Sequence, residues 1–273
     1  MSISFFSPNI AWQIQDGRFE TEAEVLNYFK TMGVDCIDVF SSDFKEYPLS
    51  YYVNLLSDAG MKANCVVTFE AIADFNDRVR ACQIAKVRES LELMAVKNIP
   101  MMMLQPSMSV ANNEYEYKKR QELVVKGFSE LTAYAKELGV MLTIENMSFL
   151  NRSDSTIGEI EYILENVTDL GFVLDTGNFF CVGEDVIKAY ETFKDRVVHI
   201  HCKDWKWDIY GDFVRENIPR FRGCALGEGD VPLKQLLKTI KQDGYSGDLA
   251  VEINSPIGWD KFDESIRFVK ENY

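Results

Sequence analysis

Short apolar runs recur along the chain, each followed by a longer segment in which apolar and polar positions alternate differently. The runs are SISFF (2–6), CIDVF (36–40), KANCVVTF (62–69), PMMMLQ (100–105), VMLTIE (140–145), GFVLD (171–175), RVVHIHC (196–202) and LAVEIN (249–254). Between them, segment 76–97 carries apolar residues at 79, 82, 84, 87, 91, 94 and 95. Segment 115–138 does the same through Leu123, Val124, Phe128, Leu131 and Tyr134. That period predicts helices. Thr21 with Glu24, and Thr156 with Glu159, read as capping boxes opening helices over 22–32 and 157–166. Helical patterns follow at 184–195, 231–243 and 260–272. Pro232 near the start of 231–243 and Gly244 at its end obey the usual start and stop asymmetry.

Near-continuous apolar strands alternating with helices imply a parallel sheet covered by helices. Eight such units in 273 residues predict an α/β chain folded as one (β/α)₈ TIM barrel, a single domain over residues 1–273. The competing open, doubly wound sheet is marked by a glycine-rich phosphate turn after its first strand, and SFFSPNIAW contains none.

Composition narrows the function classes. The net charge is −14 with no Lys/Arg-rich run. Phosphate-backbone binding needs clustered cations, so a nucleic-acid partner is disfavoured, as is an anionic membrane surface. No stretch approaches the roughly 18 apolar residues of a membrane span. The start, MSISFFSPNI, lacks the cationic and apolar regions of a signal peptide. The six cysteines form no CxxC pair and several sit inside apolar runs, which reads as buried free thiols in a reducing compartment. The expected location is cytoplasmic.

In a parallel barrel, chemistry sits at the C-terminal ends of the strands. The fifth run ends in Glu145, the sixth in Asp175, and the eighth carries Glu252. The seventh carries both histidines of the chain, His199 and His201, two apart and therefore on one face. If His201 faces the interior at the mouth, His199 lies one layer deeper. Glu252 shares a face with Ala250 and Asn254. Each group has an ordinary alternative. A strand-end Glu caps or positions a loop, a His in an apolar strand is hydrogen-bonded core, and Asp175 in LDTGN suits a turn or helix N-cap. Convergence of all four on successive strands is harder to explain structurally. Three carboxylates in a confined site repel one another unless protonated or balanced by a cation. One divalent metal ion is the economical answer, and three oxygens with one imidazole suit Mn²⁺, Mg²⁺, Co²⁺, Fe²⁺ or Zn²⁺.

At these residues the sequence resembles the xylose isomerase-like barrels, specifically the sugar phosphate isomerase/epimerase group. GFVLDTGN resembles that group's strand ending in Asp-x-Gly-His, and VVHIHCKDW its His-x-His-x-Lys-Asp segment. GCALGEGDVPLKQLLKTIKQDGYSGDLAVEIN resembles its closing stretch, with Leu-Gly-Glu-Gly-Asp before a helix and a ligand Glu on the last strand. The resemblance covers nearly the whole chain. It implies Glu145, Asp175, His201 and Glu252 as metal ligands, His199 as a partner behind them, and Lys203 near the substrate's oxygens. A solvated or salt-bridged Lys203 is the alternative. One position departs from the pattern: Asn178 stands where relatives often carry His. Asn still hydrogen-bonds but does not titrate near neutral pH, so the departure touches substrate identity rather than the metal site.

The implied chemistry is proton transfer beside a carbonyl of a small polyol, sugar or sugar phosphate, through a metal-stabilised enediolate. Glu145 and Glu252, roughly opposed across the mouth, are the catalytic acid–base candidates. Return of the proton to the opposite face gives epimerisation, and return to the adjacent carbon gives aldose–ketose isomerisation. Trp12, Phe179, Phe180, Trp205, Trp207 and Tyr210 are candidates for walling a sugar pocket, with ordinary loop packing as the alternative. Arg222 suits a substrate carboxylate or phosphate, or else a surface salt bridge. A keto-inositol dehydratase would use the same metal shell, and a catalytically silent sugar-binding barrel is the non-enzymatic alternative, although all four ligands are present. A three-zinc endonuclease needs more histidines than two, and −14 opposes DNA. A homo-oligomer is compatible with the sequence, which marks no apolar face for it.

Overall fold

The computed structural model describes residues 2–41, 48–107, 109–253 and 258–273. In chain order the strands are β1 (Ile3–Phe6), β2 (Cys36–Phe40), β3 (Lys62–Phe69), β4 (Met101–Gln105), β5 (Met141–Glu145), β6 (Gly171–Asp175), β7 (Val197–Cys202), β8 (Trp205–Trp207), β9 (Phe221–Gly223) and β10 (Asp248–Val251). Eight of them close a barrel in the order β1-β10-β7-β6-β5-β4-β3-β2, with every neighbouring pair parallel. β8 and β9 form a separate antiparallel pair after β7.

All eight apolar runs are barrel strands, because a parallel strand is covered on both faces and needs apolar residues on both. The inward face packs Phe6, Cys65, Val67, Met101, Met103, Val173 and Ala250 into an interior plug. The outward face meets helices in a second, larger core that includes Phe5, Val39, Leu104, Leu142, Phe172 and Leu249. The last run is shorter than the sequence suggests: β10 ends at Val251, and Asn254 lies outside the described residues.

The expected helices form as α2 (Glu22–Thr31), α4 (Asp77–Val96), α5 (Glu114–Glu137), α6 (Ile157–Asn166), α8 (Val186–Phe193), α9 (Leu233–Gln242) and α10 (Trp259–Asn272). Both capping boxes are made, at Thr21/Glu24 and Thr156/Glu159. Three helices were not legible: α1 (Ser7–Gln15), α3 (Leu49–Asp58) and α7 (Thr176–Cys181). α1 and α7 begin directly at strand ends, where turn-forming residues mask the helical period. α3 is rich in Tyr and Leu with no side-chain cap, so it lacks a start signal.

On α4 only Val87, Leu91 and Met94 are buried. Cys82 is exposed and Cys224 half-buried, which corrects the expectation of buried thiols at those two positions; Cys36, Cys65, Cys181 and Cys202 are buried, and all six cysteines are free. Among the described residues no helix is long and apolar enough to cross a membrane.

Candidate metal centre

Parallel pairing brings the chemistry to one mouth. Asp175 on β6 is level with His201 on β7, and His201 is level with Ala250 on β10, two residues before Glu252. Glu145 closes β5, level with Val173 two residues below Asp175. The stagger of a tilted barrel brings these levels together. One donor atom from each of Glu145, Asp175, His201 and Glu252 lies within 4.8 Å of the other three. Asp175 and His201 are fully buried, Glu145 nearly so, and Glu252, with its side chain 13% exposed, is the most open of the four.

His201 turns Nδ1 into this cluster. It hydrogen-bonds Glu145 Oε1 and lies 3.4 Å from Glu252 Oε2. Lys203 reaches in from the end of β7: its Nζ is 2.6 Å from Asp175 Oδ2, 2.6 Å from Glu252 Oε1 and 3.4 Å from Asn178 Oδ1. Three carboxylates against one ammonium leave a surplus of negative charge when His201 is neutral. Burial, with Glu252 and Glu145 adding to it against Lys203, pushes Asp175 well above the usual carboxylate range. Burial opposes a charged His201, but Glu145 and Glu252 outweigh it and raise the imidazole well above its ordinary value. Burial likewise opposes ionised Glu252, yet Lys203 and His201 win and hold it down at about 2. Lys203 is raised: burial works against its charge, and Asp175 and Glu252 overcome it. A buried, electron-rich set of three carboxylates and one imidazole nitrogen fits a divalent cation, whose two charges would balance the surplus.

Asp175 does two jobs. Its Oδ1 accepts from the Asn178 backbone N–H at 2.7 Å, capping α7, while Oδ2 faces Lys203. The N-cap alternative and the ligand reading are therefore compatible. Gly177 makes room for this arrangement: a Cβ there would lie 2.7 Å from Lys203 Cγ and 2.8 Å from Trp205 Cδ1.

Several supporting residues gave little signal in the sequence. Asp38, an acid inside an apolar strand, is fully buried in the barrel. Its Oδ2 lies 2.7 Å from His199 Nε2 and 3.7 Å from His201 Nε2, and its Oδ1 accepts from Ser4 Oγ at 2.7 Å. His199 thus lies one layer below His201, as its spacing predicts, and meets that ring edge to face with centroids 5.0 Å apart. Phe6 presses on His201 from another side at 4.9 Å. Asn146 joins the ends of β5 and β6: its Oδ1 accepts from Asp175 N at 2.8 Å and its Nδ2 donates to Asp175 O at 2.9 Å. Gln105, the polar end of the fourth run, donates from Nε2 to Glu145 Oε2 at 3.2 Å. Asp204 accepts from the backbone of Gly227, Gly229 and Val231, which shapes the Leu-Gly-Glu-Gly-Asp turn.

The other site candidates separate. Asn178 is buried, with Nδ2 donating to Asn146 O at 3.0 Å and Oδ1 toward Lys203, so its amide braces the cluster. Trp12 is half-buried on α1 against the outer core. Arg222 is not brought to the cluster: it lies on β9 with its side chain 64% exposed, 3.6 Å from Asp208 Oδ2, which is the surface-pair alternative. Phe179 and Trp205 are packed inside, Phe180 rests on Phe221, and Trp207 and Tyr210 are exposed on the β8–β9 excursion.

A family model described as xylose isomerase-like TIM barrel matches residues 26–272. The chain is 28% identical to an inosose dehydratase of Clostridium perfringens over 149 residues, 51% of this chain and 48% of that one. It therefore spans about half the length of that curated relative. It is 24% identical to an inosose isomerase of Halalkalibacterium halodurans over 241 residues, 85% of this chain and 82% of that one. Among solved structures, the IOLI protein with a bound zinc atom superposes with a TM-score of 0.74 at 17% identity, covering 100% of this chain and 96% of that one.

Proposed function

The chain belongs to the xylose isomerase-like TIM barrel family, and from that premise we propose that it is a divalent-metal-dependent isomerase or epimerase acting on a sugar, sugar phosphate or related polyol. The observation that carries this reading is the convergence of Glu145, Asp175, His201 and Glu252 within 4.8 Å at the mouth. These four residues would hold the cation. When bound, it supplies Lewis-acid charge beside the substrate carbonyl.

The chain's own groups account for the rest. Glu145 and Glu252 stand on β5 and at the end of β10, three strands apart around the barrel. One carboxylate removes the C–H proton next to the carbonyl, and the electron pair moves onto the carbonyl oxygen. The other carboxylic acid returns a proton. Return to the opposite face inverts the carbon; return to the former carbonyl carbon, with the neighbouring hydroxyl proton passing to the former carbonyl oxygen, isomerises the sugar. Each such transfer is worth about 10²–10⁴-fold in rate. Lys203, held by Asp175, Glu252 and Asn178, keeps the two carboxylates oriented and would turn a donor to a substrate oxygen only by giving up one of these partners. His199 steadies His201 from below. Small polyol substrates also suit the inosose names carried by the two relatives.

The test is metal-loaded protein incubated in D₂O with ketoses, ketose phosphates and keto-inositols, followed by NMR. Deuterium should enter the carbon next to the carbonyl, with an epimer or isomer accumulating. No wash-in with any of them sinks the reading. The dehydratase relative favours a second outcome from the same first step, and loss of water, seen as an absorbing enone product, would identify it.

A further inference from the structure

Gln105 ends β4 and is fully buried beside Glu145. Its Nε2 donates to Glu145 Oε2 at 3.2 Å and to the Glu145 carbonyl at 3.1 Å. Its Oε1 accepts from Arg152 Nη2 at 3.3 Å. A guanidinium has only donors, so it fixes which end of the amide faces it. The flipped amide would set NH₂ against the guanidinium and oxygen against both a carboxylate and a carbonyl. Arg152 is itself immobilised by Asp154, through Nε to Oδ1 at 3.0 Å and Nη2 to Oδ2 at 3.0 Å, with both side chains buried. The path runs unbroken from a buried ion pair, through an amide of fixed polarity, to one oxygen of Glu145. The other oxygen, Oε1, is the one turned to His201 Nδ1.

We propose that Gln105 is a positioning residue: polarised by the Arg152–Asp154 pair, it pins Glu145 Oε2 so that only Oε1 is presented to a bound cation. The inference rests on the reading that Glu145 is a cation ligand. Its consequence is a restricted Glu145 whose ligand atom is chosen before the cation arrives. Partners that orient a metal ligand are typically worth about 10–100-fold in metal affinity.

The experiment measures Mn²⁺ binding by calorimetry and the visible spectrum of the Co²⁺-loaded protein, both without substrate. Gln105→Glu keeps an acceptor for Arg152 but sets a carboxylate against Glu145. Gln105→Met keeps the volume and removes all three of these hydrogen bonds. Both variants should weaken Mn²⁺ binding about 10–100-fold and alter the Co²⁺ spectrum, which a purely structural role for Gln105 would leave unchanged. Arg152→Gln with Asp154→Asn removes the buried ion pair as a unit and should weaken Mn²⁺ binding in the unmodified background, yet add nothing once Gln105→Met is present, because coupled residues are not additive. Unchanged affinity and spectrum in both Gln105 variants, or a full additional penalty in the combined variant, overturns the proposal. If the unmodified protein binds neither Mn²⁺ nor Co²⁺ nor Zn²⁺, the cation reading falls with it. If binding behaves as stated but no substrate exchanges deuterium, only the proposed reaction fails.

Discussion

Lys203 Nζ lies 2.6 Å from Oδ2 of Asp175, while the other oxygen of the same carboxylate caps α7. Structure and chemistry are therefore separable by substitution at this one position. Asp175→Asn retains an oxygen to accept from Asn178 N, so its cap should survive while Mn²⁺ affinity falls by more than about 100-fold, beyond the usual loss for an outer partner. Asp175→Ala should lose the same affinity and, in addition, the cap contribution of about 0.5–2 kcal/mol. Urea unfolding of the metal-free variants checks this, and equal stability of the two would refute the dual role.

Asp38 is the counterpart inside the barrel. Removing it in Asp38→Ala leaves His199 Nε2 and Ser4 Oγ without their acceptor in a fully buried site. Each orphaned donor costs about 1–3 kcal/mol. Ser4→Ala, which removes a single hydrogen bond, should cost only about 0.5–1.5 kcal/mol. Denaturant midpoints would show the ordering, and an Asp38→Ala variant no weaker than Ser4→Ala would mean that the histidines do not depend on this carboxylate.

The barrel strands, and three of the four side chains that converge at its mouth, were legible for one physical reason; Glu252, one residue beyond β10, was legible from strand parity and the family resemblance. Strands buried on both faces are apolar nearly throughout, so Glu145, Asp175 and His201 stand out at their ends. Parity alone placed His199 beneath His201. The supporting residues were less legible because their meaning is long-range: Gln105 and Glu145 are 40 residues apart, and His199 and Asp38 are 161 apart. Nothing local in PMMMLQ or CIDVF says which partner the polar side chain will meet. Arg222 illustrates the converse. Its place beside a motif suggested the site, but three-residue strands carry no readable period, and the β8–β9 pairing turns it toward Asp208.

Gly177 tests how closely the lysine is packed. A methyl group at that position would meet Lys203 Cγ at 2.7 Å and Cδ at 2.8 Å. Gly177→Ala must therefore displace the stem that places Nζ between Asp175 and Glu252, at a cost of about 1–3 kcal/mol for overpacking. The expected outcome is a lowered melting temperature together with a raised KM for whichever polyol the protein turns over. Wild-type values of both would show that Lys203 can shift without consequence.

Metal removal should act on stability as well as turnover. A cation that binds only the folded chain stabilises it by about 2.7 kcal/mol at a hundred times its dissociation constant. Chelation of the purified protein should lower the melting temperature, and Mn²⁺ should restore it. Glu145→Gln and Glu252→Gln should fold, lose turnover by at least about 10²-fold and respond less to Mn²⁺ in thermal scans. An undiminished Mn²⁺ shift in both variants would remove them from the ligand set.

Alkaline pH should weaken the fold through its buried thiols. Burial, with a smaller push from Asp175, raises Cys202 from its ordinary value of 9.0 to about 12. Burial and then Asp38 raise Cys65 well above its ordinary value. Below pH 9 both the folded and the unfolded chain keep these protons, and the full stability is present. Between pH 9 and 12 the unfolded chain releases the Cys202 proton while the folded chain retains it. The unfolded state then binds fewer protons, so the unfolding free energy falls as pH rises, by up to about 1.4 kcal/mol per pH unit for each thiol. The cleanest window is pH 9 to 10, before tyrosines of the unfolded chain begin to ionise near 10. Cys202→Ala should be less stable than the parent at pH 8, because a buried sulfur is lost, yet should lose stability less steeply across that window. Urea unfolding at pH 8, 9, 9.5 and 10 gives both slopes, and parallel slopes would show that Cys202 is not held protonated by the fold.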